Sequence, residues 1–164
     1  MPKSDVNVPG AQSDSGNNRG DLLRPAASSD AVRRRMQSTP RRDTRPEVEL
    51  RSQLHRLGLR YRVDTSPLLG SRGRADIVFK GPKLAVYVDG CFWHGCPIHG
   101  KVPKTNALWW NEKIEKNKLR DERASQELRR SGWRVVRVWE HENPADAAKR
   151  IAKRINTIQS RSRD

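Results

Sequence analysis

The sequence predicts an α/β fold, with a mixed central sheet flanked by helices. Three observations carry this reading. Apolar patterns follow one another in the order helix, strand, strand, strand, helix, strand, helix. The run Leu84 to Val88 is almost continuously apolar, which suits a central strand covered on both faces. The turn signal Lys80-Gly81-Pro82-Lys83 joins that run to Arg74-Ala75-Asp76-Ile77-Val78-Phe79, making the two a hairpin.

Each element has its own warrant. Thr44-Arg45-Pro46-Glu47 reads as a capping box with proline in the first turn, and Gly58 stops the helix it opens. Leu50, Leu54 and Leu57 form its apolar stripe, and Glu47 falls on the same face, aimed at the covered side. Leu59, Tyr61 and Val63 alternate with Arg60 and Arg62 as in a half-buried strand. A long helix from about Asn106 to Arg130 ends at Gly132, and Trp133 to Trp139 makes a further strand. Asn143-Pro144 then opens a helix that carries Ile151, Ile155 and Ile158. Trp109, Trp133 and Trp139 are expected in the core, because each sits in a regular element with apolar neighbours.

Residues 1–35 are rich in Ser, Asp, Asn, Gly and Arg and poor in large apolar side chains. Such a segment buries too little surface to offset the entropy of ordering, so a disordered basic arm is expected, ahead of one domain over 36–160. The Arg33-Arg34-Arg35 run of the arm is suited to touching phosphates. A net charge of +15 over 164 residues favours an anionic polymer, DNA or RNA, over a membrane surface. No apolar run reaches the roughly 20 residues that span a bilayer, and no signal peptide is evident, so a cytoplasmic location is expected.

Asp89-Gly90-Cys91-Phe92-Trp93-His94-Gly95-Cys96-Pro97-Ile98-His99 holds both cysteines of the chain and two of its four histidines. Two thiolates and an imidazole at this spacing have the reach to share one tetrahedral zinc ion. The fourth ligand must come from elsewhere, with His55 and His141 as the candidates. Asp76 at a strand start, Asp89 at the end of its hairpin partner and Glu47 on a packed helix place three carboxylates where they can converge at one end of the sheet. Mg²⁺ prefers a few such oxygens together with water and phosphate. His94 lies just beyond, with an imidazole nitrogen suited to taking a proton from water.

The run Asp89 to Pro97, with Pro103-Lys104-Thr105-Asn106, Trp110-Asn111-Glu112-Lys113-Ile114, Asn117, Arg120-Asp121 and Gly132-Trp133-Arg134-Val135 through Val138-Trp139-Glu140, closely resembles the very short patch repair (Vsr) endonucleases. The resemblance runs from about Met36 to Glu142. It implies a restriction-endonuclease-like core and an enzyme that nicks one DNA strand 5′ to the thymine of a T:G mismatch left by 5-methylcytosine deamination. It further implies Asp76 and the Val88 carbonyl as Mg²⁺ ligands, His94 as general base, Glu47 as the helix-borne acid and Asp121 as an auxiliary acid. Phe92, Trp93 and Trp110 would form an aromatic wedge, with Met36 on the other side of the duplex. Cys91, Cys96, His99 and His141 would hold a structural zinc. Implied partners are mismatch-repair proteins, a cytosine methyltransferase system and a gap-filling DNA polymerase. A monomer is expected, associated with the nucleoid when acting.

The chain departs from the family pattern at Asp89, where some relatives carry a histidine; an aspartate there offers a further metal ligand. Two other readings stand beside the main one. One is a sequence-specific nicking enzyme of a restriction system, and the other a non-catalytic zinc-containing DNA-binding module. Four acid or base groups beside phosphates give a pure binder no advantage, which favours the enzyme readings.

Overall fold

The structure is a computed structural model and describes residues 30, 31, 34, 40, 42–71 and 73–161. Asp30, Ala31 and Arg34 have helical backbone, within the segment expected to form a disordered arm. The rest of residues 1–35, including Arg33 and Arg35, and Met36 lie outside the described residues.

The elements are helix α1 (Arg45–Arg56), strands β1 (Arg62–Thr65), β2 (Ala75–Phe79) and β3 (Leu84–Asp89), helix α2 (Ala107–Arg130), strand β4 (Arg134–Trp139) and helix α3 (Pro144–Ser160). They form a mixed four-stranded sheet in the order β1-β2-β3-β4. The first three strands are antiparallel, with Val63 opposite Ile77 and Ile77 opposite Val86. β4 runs parallel to β3, pairing Val86 with Val136 and Asp89 with Trp139. A parallel neighbour needs a crossover, and α2 supplies it.

Side chains alternate across a strand, so each face has its own cover. On one face Ile77, Phe79, Val86, Val136 and Val138 pack against Leu50 and Leu54 of α1 and Ala147, Ile151 and Ile155 of α3. Each of the Val, Leu, Ile and Phe side chains contributes about 1.5–3 kcal/mol when fully buried. On the other face the apolar cluster is small: Val78, Ala85 and Ala75 meet Leu128 of α2, flanked by Leu68, Tyr87, Trp133 and Val135. Beyond it that face is polar, carrying Asp76, Asp89 and Arg137 toward the loop that follows β3.

Three local expectations need correction. Leu57 is 48% exposed and sits outside the α1 stripe, because it caps the helix and Gly58 at φ +73 turns the chain away. β1 begins at Arg62, not at Leu59, since the Leu59 N–H still bonds the Leu54 carbonyl at 3.2 Å. Val63 is consequently 39% exposed, while Leu59 and Tyr61 pack on the core from the connecting turn. The capping box itself is not formed. The Thr44 hydroxyl accepts no main-chain N–H of the first turn and instead donates to the Glu47 carboxylate at 2.8 Å, and it is the Asp43 N–H, not that of Thr44, that donates to the other Glu47 oxygen, at 2.9 Å.

Candidate active site and metal centre

Asp76 opens the site. Its Oδ2 accepts the Val88 N–H at 2.7 Å, so the hairpin itself holds the carboxylate across β2 and β3. Burial pushes its pKa up to about 6; the Val88 hydrogen bond opposes this, and the charges of Glu47, Asp89 and Asp64 add to it. A divalent cation beside the Asp76 carboxylate would relieve both its burial cost and the repulsion from these neighbours. Glu47 is buried to 7% exposure, on the covered face of α1 as its spacing predicts, and both of its oxygens accept hydrogen bonds.

His94, in the loop after β3, faces α2. Its Nδ1 lies 2.5 Å from Asp121 Oδ2 and 3.8 Å from Asp89 Oδ1. With Nδ1 engaged, Nε2 is the nitrogen left for a reacting group. The same two carboxylates meet Arg137. Asp89, 3% exposed, accepts both guanidinium arms at 2.5 and 2.6 Å, and Asp121 lies 3.2 Å from Arg137 Nη2. The guanidinium also lies over the Tyr87 ring, 5.2 Å from its centroid. Both Asp89 oxygens are therefore committed to an ion pair, an arrangement its place at a strand end does not foretell.

The loop after β3 closes on itself through main-chain bonds, Cys96 N–H to Cys91 O at 2.9 Å and Gly100 N–H to Cys96 O at 2.8 Å. Cys91, Cys96, His99 and His141 each offer a ligand atom, all within 4.8 Å of one another. Neither cysteine is disulfide-bonded. A tetrahedral zinc with Cys and His ligands needs donor separations of roughly 3.3–3.8 Å, and the four donors lie close to that spacing. Cys91 Sγ and Cys96 Sγ lie 3.0 and 3.8 Å from His141 Nδ1, and Cys96 accepts the His99 N–H at 3.5 Å. Burial, the neighbouring Cys96 thiol and the Glu140 carboxylate push the Cys91 thiol up to about 12. His55 is exposed in the last turn of α1 and takes no part in the cluster.

Between this cluster and α2 lie the aromatic rings. Phe92, Trp93 and Trp110 meet edge to face, with centroids 5.1 Å apart for Phe92–Trp93 and Phe92–Trp110 and 6.1 Å for Trp93–Trp110. Trp110 is buried, while Phe92 and Trp93 are partly open to solvent. Of the tryptophans assigned to the core, Trp133 packs there; Trp109 instead touches Trp110 at 4.7 Å, and Trp139 stacks on His141 at 6.3 Å. Gly95, at φ +61, lets the loop approach α2: a Cβ there would sit 2.6 Å from Lys118 Cε and 2.8 Å from Ile114 Cγ2.

Of the residues singled out by sequence, Asp76 is held by Val88, His94 by Asp121 and Asp89, and the Cys/His group is assembled around His141. Three contributors lacked any assigned role. Arg137 is a charged residue in an apolar strand, on the covered face by alternation, and that misfit was its signal. Asn117 is buried in the stripe Trp110, Ile114, Asn117, Ser125, Leu128 and donates to Trp93 O at 3.0 Å. Glu140 accepts the Cys91 N–H at 2.6 Å, tying β4 to the loop.

Residues 23–99 match the family described as DNA mismatch endonuclease Vsr. The chain is 44% identical over 137 residues to the type II nicking enzyme V.NaeI of Lentzea aerocolonigenes, covering 82% of each protein. It is 45% identical over 109 residues to the type II nicking enzyme V.XorIIP of Xanthomonas oryzae pv. oryzae, 65% of this chain and 77% of that one. It is also 41% identical over 107 residues to the DNA mismatch endonuclease Vsr of Escherichia coli, 64% of this chain and 66% of that one.

Proposed function

The chain belongs to the DNA mismatch endonuclease Vsr family and is a DNA endonuclease, and from that membership we propose that it nicks one strand of duplex DNA 5′ to the thymine of a T:G mismatch. The observation that carries the chemistry is that both groups are held in place by the fold, the Asp76 carboxylate by the Val88 N–H and the His94 ring at Nδ1 by Asp121. Phosphodiester hydrolysis needs an acceptor for the water proton and a cation against the phosphate. His94 takes the proton at Nε2, and Asp121 holds the imidazolium that forms. Asp76 and the Val88 carbonyl would hold Mg²⁺, whose chemistry there is neutralisation of charge on the phosphate. Glu47 contributes negative potential around it, while the charge of Asp89 is balanced by Arg137. The core is read as restriction-endonuclease-like.

The ring cluster supplies the mismatch selectivity. Unstacking a base step costs a few kcal/mol and least where pairing is poor, while stacking on an aromatic ring returns about 1–3 kcal/mol per base. Phe92 and Trp93, partly open beside the buried Trp110, suit a wedge entering there. Zinc on Cys91, Cys96, His99 and His141 would hold the wedge loop in register with His94. The +15 charge supports the phosphate contacts. Among the described residues no helix is long and apolar enough to cross a membrane.

A second reading has its own support: several similar proteins are type II nicking enzymes, which suits nicking linked to a restriction and modification system. Incubation with Mg²⁺ and end-labelled duplexes decides between them. Cleavage of one strand of the T:G duplex and not of its T:A control, lost in Asp76→Ala, is the expected outcome. Equal nicking of both duplexes selects the second reading, and binding without scission removes both.

A further inference from the structure

The interior of β4 carries one feature that the proposed chemistry has not used. Arg137 lies on the sheet face opposite α1 and α3, among Tyr87, Asp89 and Asp121. It commits both arms of its fork to the buried Asp89 at 2.5 and 2.6 Å and still reaches Asp121 at 3.2 Å. Those two carboxylates are the same ones that approach His94 Nδ1, at 3.8 and 2.5 Å. His94, Asp121, Arg137 and Asp89 therefore close a ring in which each charged group touches two others. The ring spans three separate segments, β4, α2 and the β3 end with its loop, so no local sequence sets its geometry.

We propose that Arg137 is a positioning residue of the His94 centre, clamping Asp89 and Asp121 so that the imidazole is held by Nδ1 and its Nε2 faces the substrate. This rests on the reading of His94 as the base. The alternative is that Arg137 only neutralises a buried Asp89. Geometry argues against neutralisation alone: a bidentate pair already satisfies Asp89, whereas the reach to Asp121 adds nothing to that pair and fixes the partner of His94. A planar fork grips one carboxylate bidentately in a fixed plane while reaching a second, whereas an ammonium can contact both but fixes the orientation of neither.

Arg137→Lys separates the two roles, because it keeps a cation beside Asp89 and loses the fork. Positioning predicts a melting temperature close to native, a DNA Kd within about twofold and a single-turnover cleavage rate lower by roughly tenfold or more. It also predicts altered ¹⁵N signals of the His94 ring, which report its tautomer and partner. Native cleavage with an unaltered ring signal overturns the proposal. Should the lysine variant fail to fold, the double variant Asp89→Asn with Arg137→Gln removes both buried charges and is read against Asp89→Asn alone. An equal rate in the two overturns the proposal, and a lower rate in the double variant, which has lost the fork, supports it. If the native protein nicks no duplex, the functional reading has failed; the ring signal of Arg137→Lys against native then decides this proposal by itself.

Discussion

His94 Nδ1 and Asp121 Oδ2 stand 2.5 Å apart, joining the loop after β3 to the middle of α2. The contact leaves one imidazole nitrogen for chemistry and assigns the other to orientation. His94→Ala is expected to lower single-turnover cleavage by roughly 10²–10⁴-fold with little change in DNA affinity. Asp121→Asn keeps the shape and loses the charge, so a smaller loss is expected. Equal rates in native and His94→Ala protein would remove the imidazole from the mechanism.

Asp76 gives a pH signature in metal-free protein. Its folded pKa of about 6 lies above the unfolded value of about 3.9, so the fold favours its protonated form. That contribution is fully present below about pH 4 and is lost as the pH rises through about 6. It amounts to something on the order of 2–3 kcal/mol. Asp76→Asn cannot ionise, so its melting temperature should gain on the native one across that window and hold a constant lead above it. A gap that stays flat with pH contradicts the shift, and added Mg²⁺ should narrow the gap by stabilising the native protein alone.

One zinc ion per chain is expected by atomic emission from freshly purified protein. Chelation should lower the melting temperature and abolish cleavage together, since ligand binding and loop folding are one event. Cys96→Ser and His141→Ala should lose the metal, while His55→Ala should retain it. Protein that contains no zinc, or whose melting is indifferent to chelation, removes this ligand set.

The wedge reading predicts a loss of discrimination rather than of chemistry. Trp93→Ala should weaken T:G binding by about 1–3 kcal/mol while leaving matched DNA nearly unaffected. Competition binding with the two duplexes measures the difference; an equal loss on both would make Trp93 a packing residue.

Gly95 tests the seat of the loop. A methyl there would press on Ile114 and Lys118, at 2.8 and 2.6 Å, with φ at +61. Gly95→Ala should cost about 1–3 kcal/mol, read by denaturant unfolding. Lys118 has a flexible end and can yield, whereas Ile114 is buried and cannot easily do so.

Much of this molecule was legible from local pattern. The order of elements, the apolar run of β3, the hairpin at Lys80 to Lys83 and the covered face of Glu47 are period and turn signals, each readable over a few residues. The density of Cys and His after β3 marked that loop as a candidate metal site. Spacing alone left His55 and His141 both open, with the strand-like run before His141 favouring it; the parallel placement of β4 beside β3 is what brings His141 to the cysteines. β1 began late for a similar reason: the turn after α1 keeps a helical bond at Leu59 that alternation does not register.

By itself, the amino-acid order determined the elements, the charge and the chemical repertoire, because helices, turns and apolar periods follow from bonds within a few residues. Only the tertiary structure decided which partners each reactive group keeps. Asp89, marked by its position as a further metal ligand, is bound at both oxygens to Arg137, and Asp121 meets His94 across the gap between a helix and a loop. Such pairings join residues 27 and 48 positions apart. They depend on how the sheet and α2 pack, since the low dielectric beneath that helix makes an unpaired charge too costly to leave alone.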